Sequence, residues 1–372
     1  MDMQWVNHFW SQLEEKLRVT SEEIGAGFPY TTKNGKYNTE FANHEGITWW
    51  TNGFWGGMMW LLYAETKEDR YMQIARSCEE RLDKAFDSFN GLNHDMGFMW
   101  LPTAVADYKL TGNPRARERG MHAATILAGR FNPAGRYINA WNGPTMVGWA
   151  IIDGMLNLPL LYWASEESGD PRYANIAKIH ADMVQNTFIR SDGSSEHIVI
   201  LDPMTGEVQQ RLAGQGYAEG SSWSRGQAWA LYGFTASYIH TGEKRYLDTA
   251  KKCAAYFISQ LDEDGVPVID FCAPKTPVLK DASAGAIAVS GLVQLMDYVE
   301  PDEVKHYETV IEQLLRGLEK NCDFTCAEQS ILQNCSESYH KEVGHHMPII
   351  YGDYYLMEAL FRLRNKDVLR IF

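Results

Sequence analysis

The phrase Gly169-Asp170-Pro171-Arg172-Tyr173 decides the fold. It follows a run from Met146 to Ala164 that is apolar nearly all round, and a second helical run follows it. Glycine suits the left-handed residue that closes a helix, an acidic or amide residue caps the next one, and proline is tolerated at its first position. Variants recur as Glu68-Asp69-Arg70-Tyr71, Gly112-Asn113-Pro114-Arg115 and Gly242-Glu243-Lys244-Arg245-Tyr246. The repeated unit is therefore a helical hairpin. Its arginines are unequally spaced, which excludes a uniform solenoid and fits hairpins that carry insertions on one side.

The 3.6-residue pattern predicts about twelve helices, near 5–18, 52–66, 69–89, 96–111, 113–130, 145–167, 171–188, 223–241, 243–261, 281–298, 302–321 and 350–366. The runs Gly53 to Tyr63, Met146 to Ala164 and Ala228 to Ile239 are apolar nearly all round, whereas 69–89, 113–130 and 243–261 are amphipathic. Helices of the first kind belong inside and those of the second outside. Two concentric rings follow: an all-α fold, an (α/α)6 barrel of six hairpins in a single catalytic domain over residues 1–372. An open superhelix of the same hairpins is the rival arrangement. Segments 190–222 and 262–280 hold β-branched residues, glycine and proline, and are expected as loops or short hairpins on the barrel rim.

The 372 residues are 45% hydrophobic and 12% aromatic, enough for a large core. A net charge of −14 disfavours nucleic acid and anionic membranes as partners. Neither a basic-then-apolar amino terminus nor a run of about 18 uncharged apolar residues occurs, which predicts a cytoplasmic protein. Six sparse cysteines are expected as reduced thiols. Cys322, Cys326, Cys335 and His340 match no usual structural zinc spacing, so no metal is expected. The expected assembly is a monomer or a weak homo-oligomer.

Asp153 is the one formal charge in the stretch Trp149 to Trp163. A carboxyl buried on an inner helix should hold its proton near neutral pH, as a general acid requires. A carboxylate bonded to neighbouring helix ends would explain it as well. Asp95, in Asn93-His94-Asp95-Met96-Gly97-Phe98, stands where an inner helix should begin, and an N-cap role there can coexist with catalysis. If both aspartates face one mouth, their repulsion helps keep one protonated. In Gly220-Ser-Ser-Trp223-Ser-Arg225-Gly-Gln-Ala-Trp229, Arg225 and Trp229 share a helical face. Aromatic rings beside a guanidinium suit an anionic sugar, with CH faces on indole and carboxylate on arginine. A core tryptophan pair with a structural arginine ion pair is the plainer alternative.

At these residues the sequence resembles the unsaturated glucuronyl hydrolases, glycoside hydrolase family 88. The likeness is carried by Trp50-Thr-Asn-Gly-Phe-Trp55-Gly, His94-Asp95-Met-Gly-Phe98, Ile151-Ile-Asp153-Gly-Met-Leu-Asn-Leu-Pro-Leu-Leu, Ser222-Trp223-Ser-Arg225-Gly-Gln-Ala-Trp229 and Tyr351-Gly-Asp-Tyr354-Tyr355. The resemblance implies the (α/α)6 barrel, Asp153 as catalytic acid and base, and Asp95 as its partner carboxylate. It also implies a substrate pocket lined by Trp50, Trp141, His197, Gln215, Trp223, Arg225, Trp229 and Tyr354. The implied substrates are oligosaccharides with a 4,5-unsaturated uronate at the non-reducing end, made by lyases from hyaluronan, chondroitin or related glycosaminoglycans. No cofactor and no covalent glycosyl-enzyme are implied.

Relatives that accept sulfated substrates resemble one another in an arginine followed by S-x-x-(S)-x-K. Arg211, Ser336 and Lys341 fit that pattern in part, with Tyr339 at the variable serine, and are the expected sulfate-binding residues. The rival functions are an unsaturated rhamnogalacturonyl hydrolase, an N-acylglucosamine 2-epimerase-like sugar isomerase, and a sugar-binding protein without catalysis. The isomerases rely on histidine bases, whereas the central candidates here are aspartates.

Overall fold

The helix ends follow the chemistry of the repeated phrases. Gly112, Gly169 and Gly242 take φ of 71°, 71° and 68° and close their helices in the left-handed conformation. Asn113 and Asp170 cap the helices that follow, accepting from the amides of Arg115 and Arg172 at 3.1 and 3.0 Å. Glu68 and Glu243 hold the same place without a side-chain cap. The recurring Arg-Tyr pair has its own cause: Arg70, Arg172 and Arg245 lie over the rings of Tyr71, Tyr173 and Tyr246, 4.5, 4.8 and 4.9 Å from the centroids.

The computed structural model describes residues 1–38, 46–365 and 367–372. The helices are α1 (Met3–Ile24), α2 (Phe54–Thr66), α3 (Asp69–Leu82), α4 (Met96–Trp100), α5 (Ala106–Thr111), α6 (Pro114–Ala128), α7 (Leu158–Ser168), α8 (Pro171–Thr187), α9 (Ser224–Thr241), α10 (Lys244–Ser259), α11 (Ala282–Leu295), α12 (Pro301–Glu319) and α13 (Ile350–Arg364). A π turn, Leu101–Val105, joins α4 to α5. Pro102 explains it, because a proline inside a helix removes one amide and clashes with the preceding turn.

Helix α13 packs on α2 and on α11, α11 on α9, α9 on α7, α7 on α4, and α2 on the π turn, so the inner ring closes. Outside it, α3, α8, α10 and α12 pack on α2, α7, α9 and α11, α6 packs on α7 and the π turn, and α1 packs on α13. This is the (α/α)6 barrel, and ring closure excludes the open superhelix. Every residue of α11 and all of α9 from Ser224 to Ser237 are buried, as all-round apolar helices require. One hydrophobic cluster runs from Val6 to Phe372.

Short strands decorate the rim. β1 (Thr32–Lys33) pairs with β2 (Lys36–Tyr37), and β3 (Phe131–Asn132) with β4 (Tyr137–Ile138). β5 (Trp149–Ile151), β6 (Ile198–Leu201) and β7 (Val208–Leu212) form an antiparallel sheet, with Ile151 opposite Ile198 and Val199 opposite Arg211. The sheet corrects one expectation. The first part of the helix expected over 145–167 is not α-helical: β5 leads into a 3-10 turn, Ile152–Leu156, and α7 begins only at Leu158. The β-branched pair Ile151-Ile152 and the partner strand 198–201 outweigh the helical pattern, and Pro159 marks the first turn of α7. Among the described residues no helix is long and apolar enough to cross a membrane.

Candidate active site

Inner and outer helices alternate along the chain, so the six inner helices run in the same direction and open on one mouth. The segments before them carry Trp50, Asp95, Asp153, Trp223 and Asp281, and the first turns of α9 and α13 carry Arg225 and Tyr351. Converging helix N-termini bring their positive dipole ends to that mouth, an environment that favours an anion.

Asp153 lies in the 3-10 turn that the strand β5 feeds. Its side chain is 18% exposed, and His197 Nε2 stands 4.0 Å from Oδ1. That Oδ1 is buried without a hydrogen-bond partner among the described residues. Burial pushes the carboxyl up to about 7, against the opposing pull of the Arg225 guanidinium. The carboxyl group is therefore protonated at mildly acidic pH and opens toward solvent.

Asp95 is 9% exposed on its side chain, with His94 Nε2 at 3.4 Å from Oδ1. It occupies the cap position of α4, but its carboxylate does not cap that helix. Asn157 replaces that function: its Oδ1 accepts the amide of Phe98 at 3.0 Å, and its Nδ2 donates to Asp95 Oδ1 at 3.4 Å and to the Asp153 carbonyl at 3.3 Å. One amide side chain thus ties the two aspartate segments together. In the sequence Asn157 is marked only as a polar residue in an apolar run, four positions after Asp153.

Arg225 is buried at 2% exposure. It donates to Asp281 Oδ2 at 2.5 Å and to the carbonyls of Ser336 and Glu337 at 2.6 Å each. Its guanidinium lies over Trp223 and Tyr351, 4.5 and 5.3 Å from the centroids. The structural ion pair weighed from the sequence is thus present. Asp281, which also caps α11 through the Ser283 amide, carried no sequence signal beyond its place before an apolar helix.

His197 stacks against Trp223 at 4.2 Å, and burial pushes it down to about 4, so the ring is neutral. Its Nδ1 lies 3.0 Å from both the Gln215 amide and the Ala213 carbonyl. Gln215 in turn donates from Nε2 to the Glu337 carbonyl at 2.6 Å. Trp50 is half-buried and stacks on Tyr351 at 5.0 Å. Trp141 is half-buried, edge-on to His94 at 6.4 Å and beside Trp149 at 5.7 Å.

Trp229 and Tyr354 lie deeper than a pocket lining requires, since neither has exposed surface. Trp229 packs on Phe98 and Tyr355, and Tyr354 packs on Phe54 and donates to Glu358 at 3.3 Å. The geometry is that of a helix: four residues beyond Arg225 and three beyond Tyr351 is about a turn further from the mouth. Tyr351, not Tyr354, meets Trp50 and Arg225.

The residues expected to hold sulfate are each engaged within the protein. Ser336 is fully buried, with its hydroxyl donating to the Lys280 carbonyl at 2.7 Å. Lys341 forms an ion pair with Glu337, and Arg211 lies 3.5 Å from Glu196.

The family model Glycosyl Hydrolase Family 88 matches residues 29–369. The unsaturated glucuronyl hydrolase of Bacillus sp. (strain GL1) is 35% identical over 376 residues, covering 96% of this chain and 97% of that protein. An unsaturated chondroitin disaccharide hydrolase of Streptococcus pneumoniae is 36% identical, covering 92% of each. Among solved structures, the Bacillus sp. GL1 enzyme superposes with a TM-score of 0.90 at 32% identity, covering 96% of this chain and 97% of that one. A buried acid with His197 beside it at the head of an inner helix, and a match over nearly the whole length, place this chain in glycoside hydrolase family 88, among the unsaturated glucuronyl hydrolases.

Proposed function

We propose that this enzyme releases a 4,5-unsaturated uronic acid from the non-reducing end of hyaluronan- or chondroitin-derived oligosaccharides by hydrating the C4=C5 bond. The observation that carries the reading is the Asp153 carboxyl, held protonated to about pH 7 by burial, with an unpartnered Oδ1 at the mouth. In this reaction Asp153 gives its proton to C4 of the enol ether. The cation that develops at C5 is stabilised by the ring oxygen. Water then attacks C5 and passes a proton to the Asp153 carboxylate, restoring the acid. The resulting hemiketal opens and frees the linked sugar. An ordinary glycosidase needs two carboxyl groups flanking the scissile bond, whereas this route needs one group used twice.

Asp95, oriented by Asn157 and His94, is suited to accept from sugar hydroxyls next to Asp153. The neutral His197, with Gln215, Trp50, Trp141, Trp223 and Arg225, frames the uronate ring. Trp229 and Tyr354 support that frame from within the barrel. A Streptococcus agalactiae relative has been solved with dGlcA-GalNAc6S, and another relative with dGlcA-Glc-Rha-Glc, so the family admits different leaving sugars. Here Lys341 is matched by Glu337 and Ser336 is buried, which favours unsulfated disaccharides as the better substrates.

The test follows the loss of ultraviolet absorbance of the conjugated enol across unsaturated hyaluronan, chondroitin, sulfated chondroitin and rhamnogalacturonan disaccharides. The expected result is turnover of the first two by wild type. Faster release of rhamnose than of amino sugar would replace this substrate class with pectin fragments.

A further inference from the structure

Three histidines stand near the two aspartates: His197 beside Asp153, His94 beside Asp95, and His180 behind Gly154. His180, on α8, is 1% exposed, and its Nδ1 accepts the Ile138 amide at 3.0 Å. A backbone amide can only donate, so Nδ1 carries the lone pair and Nε2 the proton. That Nε2 is buried and has no hydrogen-bond partner among the described residues. A buried donor of this kind is expected to find an acceptor.

Gly154, immediately after Asp153, shows where it points. A Cβ added there would stand 3.2 Å from His180 Nε2 and 3.4 Å from His94 Nδ1. The two nitrogens lie on the same side of the glycine, around the place its missing Cβ would take. His94 is 4% exposed, with its other nitrogen, Nε2, 3.4 Å from Asp95 Oδ1. Burial pushes His180 down to about 3 and His94 well below its ordinary value, so each ring carries one proton and one lone pair.

We propose that His180 and His94 are positioning residues. Across the gap at Gly154 the His180 N–H donates, through one water, toward His94 Nδ1, which places the His94 proton on Nε2 and aims it at Asp95. The Ile138 amide therefore sets the tautomer of His180, His180 sets that of His94, and His94 orients Asp95. Asn157, its amide fixed by the Phe98 N–H, supplies a second donor to the same oxygen. Asp95 is thus held as an acceptor, turned for sugar hydroxyls, while Asp153 keeps its proton. A Cβ at residue 154 would fill the gap and break the chain, which accounts for glycine at a position whose φ does not demand it.

The inference rests on Asp95 acting beside Asp153, so one arm of the test is independent of turnover. In the full-length protein labelled with 15N-histidine, NMR should report both His180 and His94 protonated at Nε2. Protonation of His94 at Nδ1 would overturn the proposal whatever the activity. In the second arm, His94→Leu should lower kcat on unsaturated chondroitin disaccharide by about tenfold to a hundredfold, with KM within about twofold of wild type. His94→Gln, whose amide nitrogen reproduces the Nε2 donor, should recover most of the loss. Gly154→Ala, whose added methyl presses on both ring nitrogens, should lower kcat in the same sense. An unchanged kcat in His94→Leu, or no rescue by His94→Gln, counts against positioning. If Asp153→Asn proved active, the hydration reading would fail while the tautomer measurement kept its meaning.

Discussion

Asp281 Oδ2 takes the Arg225 guanidinium at 2.5 Å, with both side chains buried, so the cation that acts on Asp153 is already matched by an anion. An unmatched arginine at that place would draw the Asp153 carboxyl toward ionisation and deprive the reaction of its proton. Asp153 therefore keeps its acidic proton beside a buried guanidinium, as the proposed reaction needs.

Removing the match should be felt twice. Asp281→Ala leaves a buried guanidinium unpaired and the α11 amides uncapped, and should destabilise the fold by about 3–5 kcal/mol in urea denaturation. In the fraction that stays folded, the alkaline limb of the rate profile should move to lower pH, because the freed positive charge favours the Asp153 carboxylate.

The pH dependence of wild type follows from the same group. The first step needs Asp153 protonated, and burial holds its folded value at about 7. We expect kcat/KM to be flat on the acidic side of that value and to fall about tenfold per pH unit above it. A profile that rises through pH 7 would assign the proton donor elsewhere.

Asp153→Asn should abolish turnover, by about two to four orders of magnitude, with circular dichroism unchanged. It should also be more heat-stable than wild type at pH 8. The sign is fixed by linkage: a carboxyl raised above its unfolded value near 3.9 supports the fold fully only below that value, and loses this contribution as pH rises through about 7. The melting-temperature difference should therefore grow between pH 4 and pH 8. A constant difference over that range would remove Asp153 as its source.

Glu337 should govern the response to sulfate. It pairs with Lys341 and accepts from the Tyr30 hydroxyl at 2.5 Å. Glu337→Gln frees the lysine and should raise the ratio of sulfated to unsulfated turnover by several-fold, whereas Lys341→Ala should leave that ratio as in wild type. The comparison uses 6-sulfated and unsulfated chondroitin disaccharides at fixed ionic strength, since exposed charges are screened.

Much of this molecule was legible along the chain because helix starts and stops are local events. Gly112, Gly169 and Gly242 close helices, and Asn113 and Asp170 cap them, through contacts within a few residues. The contrast between all-round apolar and amphipathic runs was enough to sort inner from outer helices, and Asp153 stood out as a lone charge among apolar neighbours. What needed the tertiary structure has distant partners. The β5 strand exists because residues 198–201 return to pair with it, so the first part of the helix expected over 145–167 gives way to a strand and a turn that holds Asp153. Arg225 meets Asp281 across 56 positions, Asn157 meets Asp95 across 62, and His180 meets the Ile138 amide across 42. The depth of Trp229 and Tyr354 was likewise hidden, because the sequence marks a helix as buried without marking how far each turn lies from the mouth. Local propensity and patterning place the elements, whereas charge pairing, tautomers and the distance of a ring from solvent arise only when remote segments close around one another.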